Sequence, residues 1–136
     1  MVNLQELNNI CASRNYPQPE YTSEGYRVSA RRIHKALKIS LPFAVWFAKA
    51  RYEIEFEKGE DYRPIRHIVD GRMVKDYNVT LTIAKDMGTM CRSDFGNEFA
   101  DFYGDYRTAV RSERLDRIEK RIAEMEKKLG IIPETK

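Results

Sequence analysis

The residues of this sequence best suited to a chemical role are basic side chains, which fall into two groups. One group decorates a predicted helix and consists of Arg31, Arg32, Lys35 and Lys38. The other decorates a predicted β-hairpin and consists of Arg63, Arg66, His67, Arg72 and Lys75. A basic helix beside a basic hairpin can contact phosphates and a groove of nucleic acid, with Arg31, Arg32, Arg66 and Arg72 as candidate contacts. The alternative is ordinary surface charge balanced by nearby acids, and the small net charge of +3 favours it.

The sequence contains no pattern typical of an enzyme active site. Its two histidines, His34 and His67, fall in different predicted elements, and neither has a cysteine or carboxylate at metal-ligand spacing. A Gly-rich phosphate loop and an activated nucleophile motif are also missing. We therefore expect a protein that is not an enzyme and that needs neither a cofactor nor a metal.

Length and composition indicate one globular domain. A chain of 136 residues, 42% hydrophobic and 33% charged, is long enough to bury a core. Its apolar runs fall short of the ~20 residues of a membrane span, and its N-terminus lacks the basic and apolar regions of a secretory signal. Cys11 and Cys91 match neither a disulfide framework nor a metal cluster, so we expect reduced thiols. These features predict a cytoplasmic protein without membrane contact.

Apolar spacing and capping residues predict several short helices before the hairpin. Leu4, Leu7, Ile10 and Cys11 lie at helical spacing. Two prolines within residues 15–19 stop this first helix, and the segment up to Gly25 is predicted to be a linker. Ser29 caps the next helix, and Pro42 suits the first turn of a third. The core-facing stripe of that third helix is Phe43, Trp46, Phe47 and Ala50.

Residues 62–77 have the pattern of a β-hairpin. The first strand carries Ile65, Ile68 and Val69, and the second carries Met73, Val74 and Tyr77. Asp70-Gly71 between them suits a type I′ turn, because both central residues of that turn need a positive φ. Pro64 cannot donate to a sheet, so the first strand is predicted to lie at an edge or to begin after it.

Two further helices are predicted after the hairpin. Thr80 caps a helix that ends at Gly88, and Ser93 caps a long helix from Asp94 to about Leu129. Gly130 and Pro133 end this last helix. An aromatic stripe in its first half, expected to pack against the hairpin, consists of Phe95, Phe99, Phe102, Tyr103 and Tyr106.

The end of the long helix has the pattern of a short coiled coil. Its apolar residues are separated by alternating steps of 3 and 4 and are Leu115, Ile118, Ile122, Met125, Leu129 and Ile132. In a parallel pair Arg114 faces Glu119 and Arg121 faces Glu126, whereas an antiparallel pair would set like charges together. The sequence therefore favours a parallel homo-oligomer. The alternative is an amphipathic helix that folds back on its own domain.

Two blocks of the sequence resemble the phage antirepressor (AntA/AntB) family. The upstream block is Val28-Ser29-Ala30-Arg31-Arg32-Ile33-His34, followed by Phe43, Trp46 and Glu60-Asp61-Tyr62. The downstream block is DYNVTLTIAKDM at residues 76–87, followed by Arg92-Ser93-Asp94-Phe95-Gly96. Together they run from about Val28 to Tyr103 in the order that is typical of the family. The family also looks distantly similar to KilA-N domains, for which DNA binding is proposed.

The resemblance implies a phage or prophage antirepressor in the cytoplasm of a bacterial host. Such a protein binds a prophage repressor and relieves its hold on lytic genes, by a stoichiometric and non-catalytic mechanism. Two alternatives remain open. One is a sequence-specific DNA-binding regulator, and the other is a phage inhibitor of another host or defence protein.

We predict three segments: residues 1–24 as N-terminal helix and linker, 25–106 as the antirepressor-like domain, and 107–136 as the oligomerisation helix. Buried Tyr and Arg side chains dominate many protein interfaces. The partner site is therefore expected on the hairpin and adjoining helices, with Tyr62, Arg66, Arg72 and Tyr77 as candidates. Alternatively, Tyr62 and Tyr77 form a cross-strand pair that serves only the sheet.

Overall fold

The fold is α+β, as the sequence predicts. The structure is a computed structural model that describes residues 3–130. Within that range five helices and four strands follow one another in the order α1 Leu4–Arg14, β1 Glu20–Thr22, β2 Gly25–Ser29, α2 Ala30–Ala36, α3 Phe43–Ile54, β3 Tyr62–Val69, β4 Arg72–Thr80, α4 Leu81–Met90 and α5 Asp94–Lys128. No helix in residues 3–130 is both long enough and apolar enough to cross a membrane.

The strands form one antiparallel sheet in the order β1-β2-β4-β3. The β3–β4 hairpin is confirmed, with Asp70 and Gly71 at φ values of 51° and 77° in its turn. Pro64 lies on β3, which is an edge strand, as predicted. The predicted linker was wrong in part, because it contains β1 and the start of β2. Both strands are short. They form because β1 pairs with β2 and β2 pairs with β4, rather than through a local sequence preference for strand.

Most of the β3–β4 hairpin projects beyond the part of the sheet that contains β2. Strand β2 pairs only with residues 78–80 of β4. The remaining part, residues 64–77, is therefore a two-stranded ribbon, which we call the arm. The arm keeps β3 pairing over its whole length, from Pro64 opposite Tyr77 to Val69 opposite Arg72.

Three predicted helix caps are confirmed. The side chains of Ser29, Thr80 and Ser93 each accept a hydrogen bond from the backbone N–H three residues later, at 3.1–3.2 Å. Pro42 is the N-cap of α3, one position earlier than expected. The predicted end of α4 at Gly88 was wrong, because the helix continues to Met90.

Gly88 lies where α4 crosses α5 closely, and it does not end α4. A Cβ atom on Gly88 would lie 2.8 Å from the carbonyl oxygen of Gly96, and one on Gly96 would lie 2.4 Å from the carbonyl oxygen of Gly88. The two glycines therefore let α4 and α5 approach until their backbones touch. This contact places the first half of α5 against the rest of the domain.

The aromatic stripe of α5 packs mainly against the N-terminal segment, not against the hairpin as predicted. Phe99, Phe102 and Tyr103 are buried and contact the ring of Tyr16 at centroid distances of 5.0–6.3 Å. The hydroxyl of Tyr103 donates to the carbonyl of Pro17 at 2.5 Å, and that of Tyr106 donates to the side chain of Asn8 at 2.8 Å. Residues after α1 therefore form part of the same core.

The second half of α5 extends away from the core. Its predicted seam residues are between 45% and 72% exposed and are Leu115, Ile118, Ile122, Met125 and Leu129. The alternative of a helix folded back on its own domain is therefore wrong for these residues. Ile132 and Pro133 lie outside the described residues. The coiled coil itself stays a prediction.

We expect two Gly-to-Ala changes in α5 to have opposite effects on stability. Gly96→Ala should lower the free energy of unfolding by about 1–3 kcal/mol, because its Cβ would meet backbone atoms of α4. Gly104→Ala should raise it by about 0.5–1 kcal/mol, because alanine favours helix and only the flexible Lys85 side chain lies nearby. Urea unfolding at one protein concentration measures both. Equal stability of the two variants would contradict the close crossing.

Candidate partner-binding site

One face of the arm combines apolar, basic and aromatic side chains. Side chains alternate between the two faces of a strand, so every second cross-strand pair lies on the same face. The face on the α3 side carries the pairs Pro64–Tyr77, Arg66–Lys75 and Ile68–Met73. From base to tip, this face is therefore aromatic, then basic, then apolar.

The tip of this face is open to solvent. Ile68 is 70% exposed and Met73 is 64% exposed, and Val69 on the other face is 49% exposed. These large apolar side chains lie at the end of a ribbon and do not contribute to the hydrophobic core. Such a cluster is typical of a surface that another molecule covers.

The base of the same face borders a groove of about 220 Å³ between the arm and α3. We call it the arm groove. Its lining residues are Arg31, Phe43, Ala44, Phe47, Ala48, Arg51, Lys75 and Tyr77. The ring of Tyr77 stacks on that of Phe47, with centroids 4.2 Å apart and planes at 7°. This stack is a rigid aromatic floor for the groove.

Three cations surround that floor, each above an aromatic ring. The distance to the ring centroid is 4.3 Å from Arg31 to Phe43 and 5.9 Å from Lys75 to Tyr77. Arg51 lies 5.2 Å from the ring centroid of Tyr62. No carboxylate lines the groove, and none of the three cations forms an ion pair with another described residue. The groove is therefore suited to an anionic group that is attached to an apolar one.

A buried carboxylate fixes the base of the arm. Asp76 is 0% exposed and accepts hydrogen bonds from the backbone N–H of Arg31 at 3.0 Å and of Tyr77 at 2.6 Å. It also accepts one from the hydroxyl of Ser29, and Nε2 of His67 lies 3.3 Å from it. Its position at the first turn of α2 is favourable for a negative charge, because the N–H groups there are free.

Arg31 makes a second connection between α2 and the arm. Its Nε donates to the carbonyl of Lys75 at 2.5 Å. That carbonyl lies on the edge of β4 just beyond the end of β2. The guanidinium therefore donates the hydrogen bond that a neighbouring strand would otherwise donate. Together, Asp76 and Arg31 hold the arm groove open in one geometry.

The structure separates the four predicted partner residues. Tyr62 is only 4% exposed and its ring packs among Phe47, Phe56 and Tyr77. A contact from Tyr62 to a partner would require opening the core. Tyr62 is therefore not part of the candidate partner surface. Tyr77 serves both the sheet and the floor of the groove. Arg66 and Arg72 are both exposed but lie on opposite faces of the arm.

The predicted nucleic-acid contacts do not share one surface either. Arg31 lines the arm groove, whereas Arg32 lines a different cleft beside α1. Arg66 lies on the groove face of the arm, and Arg72 lies on the other face. Arg31 and Arg66 thus share the groove side of the arm, whereas Arg32 and Arg72 lie on two other surfaces.

Sequence reasoning missed two contributors to the groove. The sequence pattern gave Arg51 no role and placed Phe43 in the core-facing stripe of α3. The available signal was Ala44 and Ala48, two small residues four apart on the exposed side of α3. Small side chains at that spacing indicate a helix face that something approaches closely.

Asp76→Asn should lower the free energy of unfolding by about 2–3 kcal/mol, because the amide no longer accepts all the hydrogen bonds and its NH₂ faces donors. Asp70→Asn is the control, since Asp70 is exposed and its positive φ suits asparagine. Urea unfolding followed by circular dichroism measures both variants. If the two variants unfold alike, Asp76 does not stabilise the arm.

Comparison with known proteins gives one match. Residues 28–93 match the model of the AntA/AntB antirepressor family. No curated protein and no solved structure matches the chain. The matched segment contains the whole arm, the arm groove and Asp76, and it excludes α1 and α5. The resemblance noted in the sequence is thus confirmed over residues 28–93, which match the AntA/AntB antirepressor domain.

Proposed function

We propose that this protein is a phage antirepressor that binds a transcriptional repressor through the groove face of the arm. The single observation that carries the proposal is the exposed apolar tip beside Arg66 and Lys75, within the segment that matches the family. The antirepressor acts in the cytoplasm of the bacterial host, where the repressor binds its operator. It forms a stoichiometric complex and catalyses no reaction.

The residue types on the arm support a protein partner. Met, Tyr and Arg are enriched at the centres of protein interfaces, where they combine a large contact area with directed hydrogen bonds. The arm presents Met73, Tyr77 and Arg66 on one face, and Asp76 holds that face in place. A preorganised surface loses little conformational entropy on binding.

The charge of the arm selects which face of the repressor it contacts. A repressor carries a basic DNA-binding surface, because its contacts to phosphates need Lys and Arg. The arm groove is also basic, so the two surfaces repel each other. The arm therefore binds an acidic face of the repressor, and release from DNA follows from a block of repressor self-association or from a change in its shape.

Mass action is sufficient for the effect on transcription. When free antirepressor is 100 times the dissociation constant, the unbound repressor falls about 100-fold. No energy source is needed.

The exposed seam of α5 supports a parallel homo-oligomer with a second copy of this chain. Burial of each apolar side chain contributes ~1.5–3 kcal/mol to association, and five such side chains are exposed along the seam. Parallel pairing also sets Arg114 opposite Glu119 and Arg121 opposite Glu126. It places both arms at the same end of the coil, where they can bind a two-fold symmetric repressor with increased avidity.

DNA binding is the second candidate function, because the arm is a two-stranded ribbon and such ribbons fit the major groove. Arg66, Arg72 and Lys75 are all exposed along it. The apolar tip and the net charge of +3 argue against tight binding to DNA. We therefore expect weak, non-selective DNA binding by the isolated protein. A tight complex with one operator at physiological salt would replace the repressor-binding proposal.

Replacing both Arg66 and Lys75 with Ala should weaken repressor binding by about 1–3 kcal/mol, because both lie on the groove face. The control variant carries Arg72→Ala and Lys49→Ala, which remove the same charge from other surfaces. Isothermal titration with the prophage repressor, after melting temperatures are shown to be equal, measures the difference. Equal affinity of the two variants would exclude the groove face as the interface.

Replacing Ile118 and Ile122 with Asp should convert the protein to a monomer, because two charges would enter the seam. The control carries Arg117→Gln and Lys120→Gln, which change the net charge equally but lie outside the seam. Light scattering at high micromolar concentration measures the mass. A monomer mass for the unmodified protein would contradict the oligomer, and so would a structure with antiparallel tails.

A further inference from the structure

A second basic surface lies apart from the arm. It is a cleft of about 720 Å³ between the last turn of α1, helix α2 and the start of α5. We call it the basic cleft. It shares no lining residue with the arm groove. Two of its contributors, α1 and α5, lie outside the segment that matches the family.

Four cations line this cleft: Arg14, Arg32, Lys35 and Lys38. No aspartate or glutamate lines it, and none of the four cations forms an ion pair within residues 3–130. Four like charges around one concavity repel each other, and water and salt compensate this only in part. An anion bound in the cleft would relieve the repulsion.

Helix dipoles explain only part of this arrangement. Arg14 and Lys35 lie in the last turns of α1 and α2, where a cation is favourable. Arg32 lies in the first turn of α2, where a cation is unfavourable. Lys38 follows the helix with a positive φ of 55°. Arg32 is therefore not accounted for by the dipole of α2.

The cleft also has apolar walls. Ala12, Pro17 and Ala36 line it, together with Phe95, which is 41% exposed. Cys11 lines the cleft as well, and burial raises the pKa of its thiol to about 11, so it contributes an uncharged surface. A ligand that fills the cleft thus presents both negative charges and apolar groups.

From these observations we propose that the basic cleft binds a short acidic peptide segment of a partner protein. Alternating carboxylates and apolar side chains match the cations and walls of the cleft. The proposal goes beyond the antirepressor function, because it requires neither the arm nor a repressor.

A nucleic-acid strand fits less well. Polyphosphate needs a basic track that continues beyond the cleft, whereas exposed Asp94 and Glu98 flank Phe95 on α5. Bases of a single strand also need free aromatic faces for stacking. The Nζ of Lys38 already lies 5.8 Å from the ring centroid of Phe95, and Tyr16 is buried.

Fluorescence anisotropy with the full chain tests the proposal. The probe is a labelled peptide of roughly ten residues, with Glu alternating with Leu and Ser. The comparison probes are the same peptide with Gln in place of Glu and an oligothymidylate of similar length. We expect the Glu peptide to bind about tenfold or more tightly than either comparison probe.

The deciding variant is Arg32→Glu with Lys35→Glu, both of which are exposed side chains. It should weaken binding of the Glu peptide about tenfold or more. The control, Lys49→Glu with Lys120→Glu, makes the same charge change elsewhere and should alter affinity less than about twofold. A milder variant, Arg32→Gln with Lys35→Gln, should lose less affinity for the Glu peptide. It tests the same two residues with a smaller risk of misfolding. Circular dichroism confirms the fold of each variant.

Two results would overturn the proposal. One is equal loss of affinity in the cleft variant and the control, which indicates binding to overall charge. The other is tighter binding of the oligothymidylate than of the Glu peptide, which indicates a nucleic-acid site. The variant with Arg66 and Lys75 changed to Ala removes charge from the arm alone, so its loss of Glu-peptide affinity should be smaller than that of the cleft variant.

Discussion

The geometry of this domain depends on one buried carboxylate. An ionised group taken out of water is stable only when hydrogen bonds and opposite charges replace its hydration. Asp76 satisfies this requirement with the hydroxyl of Ser29, two backbone N–H groups and the imidazole of His67. These partners come from β2, α2, β4 and β3, so one side chain connects the sheet to the helix beside it. The direction in which the arm projects, and the width of the groove at its base, follow from this connection.

The arm joins two kinds of attraction that suit a protein partner. The exposed tip supplies apolar area, and the groove supplies cations above aromatic rings. Cations held above rings keep less freedom than cations on open surface, so less entropy is lost when an anion binds. A rigid base with a solvent-exposed tip therefore favours specific binding. Under the proposed function, the basic groove favours a partner with an acidic surface.

The segments outside the family match change what the domain can do. The segment after α1 packs on the first half of α5 through the buried ring of Tyr16, and Gly88 and Gly96 bring α4 against α5. This packing creates the basic cleft beside α2. The second half of α5 extends its apolar seam into solvent. One helix thus contributes to the core, to a second candidate binding site and to the surface proposed for self-association.

The sequence by itself determined the features that depend on local chemistry. Capping serines and a threonine set the starts of three helices, Asp70-Gly71 set the hairpin turn, and the spacing of Leu115 to Leu129 set the seam. Only the tertiary structure decided the features that depend on distant partners. Strand β1 forms because β2 is present, Tyr62 is buried because α3 covers it, and Gly88 continues a helix because Gly96 crosses it. Packing against α3 likewise decided that the face with Arg66, and not the face with Arg72, borders the arm groove. Local propensity acts over a few residues, whereas burial and register are set by segments that meet only in the folded chain.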